Sequence, residues 1–323
     1  HPAGPGRGWL FTLWAPHARR VQLLGDWNGW DLYSAAELTF CEDGLWRGRV
    51  PQAQLGQLYK YNIQGPDGSW QLRADPFAFA FEALPGTASR LAEPNYPFAA
   101  PLLRGARRDA PVLIYELHAA SWHRHWDGRY YTGPELAKSL VPYLVEHHYT
   151  HVEFLPLAEY PFDGSWGYQG CGYFAPTQRI GGFAGFAVLV DALHAAGIAV
   201  LMDDFGSAYS SLNMLKDIYV DAIKLDMKFV DLNADNAAKG LKIIESVIDM
   251  AYQLRLSIIA EGAQTAEQVS KLRELGCMYI QGYYFYRPLT VGKMEDLLEH
   301  RPDDQHFWNI YTDLMHRDYR MST

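Results

Sequence analysis

Two adjacent carboxylates, Asp203 and Asp204, close an apolar run that begins at Ile198. A run of that length, apolar throughout, predicts a strand buried on both faces of a parallel sheet. The carboxyl end of such a strand is where an α/β barrel keeps its chemistry. Two hard oxygen donors on a strand tip, followed by Gly206, suit Mg²⁺ or Mn²⁺ better than a soft metal. The competing reading is a helix-capping Asp beside a solvated one. Lys224 and Asp226 are two apart at the end of a further predicted strand and therefore share a face. Glu261 and Gln281 each end another. A buried Lys beside carboxylates forms either a working catalytic pair or a structural ion pair, and local spacing does not separate the two.

Charge narrows the classes of partner. The 323 residues carry 28 Lys+Arg against 37 Asp+Glu, a net −9, which gives no electrostatic support for a nucleic-acid polymer or a membrane surface. No apolar run reaches spanning length and no secretory signal is found. The first residue is His1 rather than Met, so a trimmed start is expected. Cys41, Cys171 and Cys277 are odd in number and widely spaced, so they read as reduced thiols in a cytoplasmic protein. Ten Trp and 21 Tyr suit stacking on sugars and equally suit a large core.

The elements that must position these residues fall into blocks. Residues 1–84 hold short runs such as Trp9–Trp14, Val21–Leu24, Leu45–Val50 and Leu58–Ile63, cut by Asn28-Gly29, Asp43-Gly44 and Pro66-Asp67-Gly68 turns, and predict a β-sandwich. Residues 85–111, rich in Pro, Ala and Arg, read as an ordered linker. From 112 to 299 strands alternate with helical spacing (Leu136, Leu140 and Leu144 in the first), which predicts a parallel, TIM-barrel-like (βα) domain. Its strands are expected at 112–118, 152–157, 198–203, 221–226, 256–260 and 278–282. Six is two short of a closed eight-stranded barrel, so the sheet must close tighter, stay open, or recruit a second chain in a homo-oligomer. Residues 300–323 suit an amphipathic helix covering a barrel end or an open edge.

The order Trp-Ala-Pro (14–16), Gly-Asp-Trp-Asn-Gly-Trp-Asp (25–31), Tyr-Lys-Tyr (59–61), Asp-Gly-Ser-Trp (67–70) and Ala-Asp-Pro (74–76) resembles the glycogen-binding sandwich module of α-glucan branching enzymes. Tyr-Glu-Leu-His (115–118), His-Val-Glu-Phe-Leu-Pro (151–156) and Gly-Tyr-Phe-Ala-Pro-Thr (172–177) resemble the opening of the branching-enzyme barrel in the α-amylase superfamily, so this likeness covers about residues 8–200. It implies α-glucan binding through Trp30, Lys60 and Trp70, with indole faces stacking on glucose rings and Lys60 donating to hydroxyls. It also implies a sugar-stacking role for Tyr168. The alternative for Trp30 and Trp70 is a core or interdomain position. Glucan transfer needs two carboxyl groups about 5–5.5 Å apart across the bond. Neither of the superfamily's carboxylate motifs is found, so binding without transfer is expected.

Downstream, Asp-Asp-Phe-Gly-Ser-Ala-Tyr-Ser-Ser-Leu (203–212), Asp-Ala-Ile-Lys-Leu-Asp (221–226), Ala-Glu-Gly (260–262) and Tyr-Ile-Gln-Gly-Tyr (279–283) resemble the C-terminal half of an EAL cyclic di-GMP phosphodiesterase, over residues 198–299. That resemblance implies two-metal hydrolysis of a phosphodiester, with Mg²⁺ or Mn²⁺ on Asp203 and Asp204. Lys224 would orient or deprotonate water beside Asp226, with Glu261 serving the metals through water and Gln281 positioning water or substrate. The early ligands of that family are missing; Glu116 and His118, i and i+2 on one strand, could replace them geometrically, and the competing reading, which is preferred, is a buried pair held by each other. Three readings follow: a glucan-binding chain on a recombined barrel, a cyclic di-GMP phosphodiesterase with an incomplete metal shell, or an engineered or accidental recombinant without evolved activity.

Overall fold

The computed structural model describes residues 7–103, 112–205, 219–226, 237–254 and 256–299, with Pro2 and Gly4. Gly206, the side chains of Asp204 and Asp226, and the 300–323 segment lie outside the described set.

The N-terminal part is a two-sheet sandwich. Strands β1 (Trp9–Trp14), β2 (Arg20–Gly25), β3 (Ala36–Glu37), β4 (Thr39–Phe40), β5 (Leu45–Val50), β6 (Leu58–Gln64), β7 (Trp70–Arg73), β8 (Ala80–Phe81) and β9 (Ser89–Arg90) are short and cut by turns. One sheet has the order β1-β5-β4; the other runs β3-β2-β6-β9-β8, with β7 also on β6. Alternation sends Trp9, Phe11, Val21, Leu23, Trp46, Tyr59 and Tyr61 into the space between them. The sheet continues past the expected boundary at residue 84. Ser89 and Arg90 pair with Tyr59 and Leu58, and Leu91 joins the core, so the start of the expected linker is sandwich. The Pro- and Ala-rich composition of that stretch hid a two-residue strand.

The second part carries β10 (Ile114–Leu117), β11 (His151–Phe154), the β12–β13 pair (Ala158–Glu159 and Gly172–Pro176), β14 (Ala199–Phe205), β15 (Ala222–Asp226), β16 (Ser257–Glu261) and β17 (Tyr279–Gln281). Among the described residues β10-β11-β14-β15-β16-β17 form one parallel sheet, a curled half-barrel. The six expected strands are present, and among the described residues its end strands, β10 and β17, do not pair with each other, which leaves the sheet open there.

Helices cover its outer side. A short α1 (Ala119–Trp122) is followed by α2 (Gly133–Glu146), which starts at a Thr132–Glu135 capping box with Pro134 in its first turn. It packs Leu136, Leu140 and Leu144 with Leu189, Val190 and Leu193 of α3 (Gly182–Ala195) against Val152, Phe154 and Val200. A Cβ on Gly133 would lie 1.8 Å from the Gly185 carbonyl oxygen, so these two glycines let the helix backbones touch. Helices α4 (Ala237–Gln253) and α5 (Ala266–Glu274) cover β15 and β16 around Ile244, Ile248, Leu272 and Ile258. The predicted Thr265–Gln268 capping box opens α5. A last helix, α6 (Val291–Glu299), has no buried residue.

A strap of chain from Tyr96 to Leu103 binds both halves of the half-barrel. Asp191 of α3 accepts from the Ala99 and Ala100 amides at 2.9 and 2.8 Å, and Phe98 stacks on Tyr219 at 3.8 Å. Asp221, buried just ahead of β15, accepts from the Leu103 amide at 2.6 Å and the Val200 amide at 2.8 Å, and meets His194 at 2.8 Å. Removing that carboxylate strands two amides and an imidazole away from water. Asp221→Ala is therefore expected to cost roughly 3 kcal/mol of unfolding free energy in urea titrations. A loss below about 1 kcal/mol would contradict the role given to Asp221.

Candidate functional site

The inner face of the half-barrel places charged side chains where its outer face places leucines. Strand alternation puts Glu153 of β11, Asp203 of β14, Lys224 of β15 and Glu261 of β16 on that face, toward the carboxyl ends. The Lys224 ammonium lies 3.2 Å from Asp203 Oδ1 and 2.7 Å from Glu261 Oε2, and it donates to Glu153 Oε1 in the closest of the three contacts. Lys224 and Glu153 are buried, at 4% and 3% exposure.

Burial alone would lower the Lys224 pKa. Hydrogen bonds to Glu153 and Glu261 and the charges of Glu153 and Asp203 outweigh it and hold the amine above its ordinary range. An ammonium so held can orient a water or an anion but does not accept a proton. Glu153 moves up to about 7, chiefly by burial, with the Asp203 charge adding to the rise and Lys224 opposing it. An ionised carboxylate out of water is costly, and that burial cost is what lifts Glu153 despite the ammonium beside it.

Of the residues expected here, Asp203, Lys224 and Glu261 meet. Gln281 is opposite Glu261 in the β16–β17 register and is exposed. The side chains of Asp204 and Asp226 are outside the described set. Glu116 and His118 do not join the cluster. Glu116 is exposed, while His118 Nδ1 is 2.8 Å from Ser121 Oγ and its ring stacks on Trp166. Glu153, which the sequence reading passed over, is the residue that reaches Lys224 from the first half. Its signal was present: a lone carboxylate between Val152 and Phe154 in a strand to be buried needs a cation. Of the two carboxylates expected to hold a divalent ion, only Asp203 has a described side chain, and it faces Lys224. Among the described residues no three His, Cys, Asp or Glu side chains are placed to hold one, and the carboxylates converge on an ammonium instead.

On the sandwich, the β2–β6–β7 register puts Lys60, Asn62 and Gln64 on the outer face, with Trp70 directly across from Gln64. Trp30 follows β2 in the loop at the Lys60 end, at φ 65°. Its indole donates to Asp26 Oδ1 at 2.9 Å, and the other oxygen of Asp26 accepts from the Leu58 amide at 2.8 Å. Lys60 donates to Thr87 Oγ1 at 2.7 Å. Trp30 and Trp70 are 36% and 39% exposed, so neither is a core residue.

Tyr168 is exposed in the loop between β12 and β13, apart from both groups. That loop is braced by Arg179. Its guanidinium donates to Glu159 and Asp163 at 3.0 and 2.9 Å and lies 3.7 Å from the Tyr160 ring centroid.

Comparison with known proteins divides along the same lines. Residues 1–78 match carbohydrate-binding module 48, the isoamylase N-terminal domain. Residues 183–288 match the EAL domain, a match that begins within α3 rather than at the following strand. The 1,4-alpha-glucan branching enzyme GlgB of Lactiplantibacillus plantarum is 46% identical over 209 residues, 63% of this chain and 32% of that enzyme. The enzyme of the same name from Bacillus caldolyticus is 44% identical over 206 residues, 62% of this chain and 31% of its own. The chain thus spans about a third of the length of these curated relatives. Among solved structures, the pullulanase of Paenibacillus barengoltzii superposes with a TM-score of 0.61 at 18% identity, over 84% of this chain and 55% of that one. The pullulanase of Bacillus acidopullulyticus gives 0.58 at 16% identity, over 80% and 41%. At those identities the likeness shows the fold alone.

The proton held by Glu153 has a measurable consequence. Between about pH 4.5 and 7 the folded chain keeps it and the unfolded chain has lost it, so this group makes stability fall as pH rises through that window. The slope approaches about 1.4 kcal/mol per pH unit at most. His118 and His151, lowered by burial, act in the opposite sense below their ordinary range, so the comparison must be between variants. Melting temperatures from pH 5 to 7.5 are expected to fall more steeply in the parent chain than in Glu153→Gln. Parallel curves would show that Glu153 titrates normally.

Proposed function

We propose that the chain binds α-glucan through the outer face of its N-terminal sandwich. The observation that carries this reading is the exposed Trp70 indole on the sheet face that carries Lys60, with a second exposed indole, Trp30, in the loop at the Lys60 end, held by the β6–β7 register, by Thr87 and by Asp26. Indole faces pack on the C–H faces of glucose rings, and an ammonium donates to ring hydroxyls between them. The match to carbohydrate-binding module 48 and the likeness to glucan branching enzymes support the same substrate class. A neutral polymer also suits a chain whose net charge is −9. Whether the half-barrel adds catalysis is a separate question that the sandwich does not depend on.

Hydrolysis of cyclic di-GMP is the second reading, favoured by the meeting of Asp203, Lys224 and Glu261 and by the match to the EAL domain. It is the weaker one, since the described carboxylates are spent on Lys224. Mn²⁺-dependent turnover of cyclic di-GMP that Asp203→Asn abolishes would favour it over simple glucan binding.

Affinity electrophoresis through glycogen tests the first reading directly. The parent chain is expected to be retarded, with each of Trp30→Ala and Trp70→Ala weakening binding about tenfold, ~1.4 kcal/mol apiece. Unretarded migration of the parent chain would overturn it.

A further inference from the structure

The two indoles of the sandwich face are not equivalent. No cation lies over Trp30 among the described residues, whereas the Arg20 guanidinium carbon sits 5.5 Å from the Trp70 ring centroid. The β2–β6–β7 register explains how it gets there. Arg20 is opposite Gln64, and Gln64 is opposite Trp70, so Arg20 reaches across the central strand on the outer face. It is also tethered sideways by an ion pair with Glu37 of β3. Glu37 Oε1 accepts from Gln22 Nε2 at 2.8 Å as well, and Gln22 in turn accepts from Asn62 at 3.1 Å. A row of polar side chains across three strands thereby fixes where the guanidinium lies.

A guanidinium over an indole uses the same electron-rich face that a glucose ring needs for stacking. Resting on the glucan-binding reading above, we infer that Arg20 is a specificity-determining residue of that face. Its guanidinium, held by Glu37, covers the Trp70 ring, and a glucose unit reaches Trp70 only by displacing it. Trp30 is then the first platform to engage, and Trp70 engages with a ligand long enough to span from one ring to the other. The tether is exposed, with about half of each side chain open to water (55% and 45%), so the cover is light and salt weakens it.

Calorimetric titration of the full chain with maltoheptaose tests the inference. Arg20→Ala is expected to bind about three- to fivefold tighter than the parent chain, the ~0.7–1 kcal/mol that an exposed cation–π contact supplies. Arg20→Lys, which keeps a cation but loses the planar fork, is expected to fall between them. Raising salt from about 0.05 M to about 0.5 M should tighten binding by the parent chain and leave Arg20→Ala unchanged, because a neutral sugar is not itself screened. Equal or weaker binding by Arg20→Ala, with the parent chain bound, would overturn the role of Arg20 and leave the glucan reading intact. If no form of the chain binds, both are overturned.

Discussion

The contact on which the half-barrel turns is the Lys224 ammonium among Glu153, Asp203 and Glu261. Its members come from four strands that are consecutive in the sheet, and Glu153 precedes the seam between the two resemblances while Lys224 and Glu261 follow it. Inside a curled parallel sheet a lysine or a carboxylate alone would be costly, and each makes the other tolerable. Pairing does not make the cluster neutral. Three carboxylates face one ammonium, and burial, with the Asp203 charge adding to it, lifts Glu153 above its ordinary range. A group of this kind contributes little net stability compared with an apolar core. It does make one alignment of the two halves better than a shifted one, because a one-residue slip of one half would turn its groups to the other face, away from their partners.

The rest of the seam uses contacts that do not depend on which sequence supplies them. Backbone hydrogen bonds join β11 to β14 and β14 to β15, and leucines from α2 and α3 cover that side. The strap at 96–103 adds a second tie, since Asp191 of α3 holds it from one helix while Tyr219 and Asp221, just ahead of β15, hold it further along the sheet. Generic pairing explains how segments with two different likenesses share one sheet, and the polar ties favour one arrangement of it.

Much of this was legible in the sequence because period and punctuation are local. The six strands and the Thr265–Gln268 cap follow from residue spacing and turn chemistry, whereas the exposure of Trp30 and Trp70 was implied by the resemblance alone, with a core position left open. Three things were not legible, for one reason: each depends on register between strands far apart in the chain. Glu153 lies 71 residues from Lys224, and only the β11–β14–β15 alignment brings them together. Arg20 lies over Trp70 only through the pairing of β2, β6 and β7. The pairing of Ser89–Arg90 with β6 likewise has no local signature. Glu116 and His118 show the converse. Their i, i+2 spacing predicts one strand face, but β10 stops at Leu117, and His118 lies past it at the start of α1, where it meets Ser121 and Trp166.

The most direct test of the ion cluster is a double-mutant cycle on Glu153 and Lys224, using Glu153→Gln, Lys224→Met and the pair, read by urea unfolding at pH 8. If the two groups hold the halves of the sheet in one alignment, their coupling energy is expected to be at least about 2 kcal/mol. A coupling near zero, with the two single losses simply adding, would mean that the halves are joined by backbone pairing and leucine packing alone.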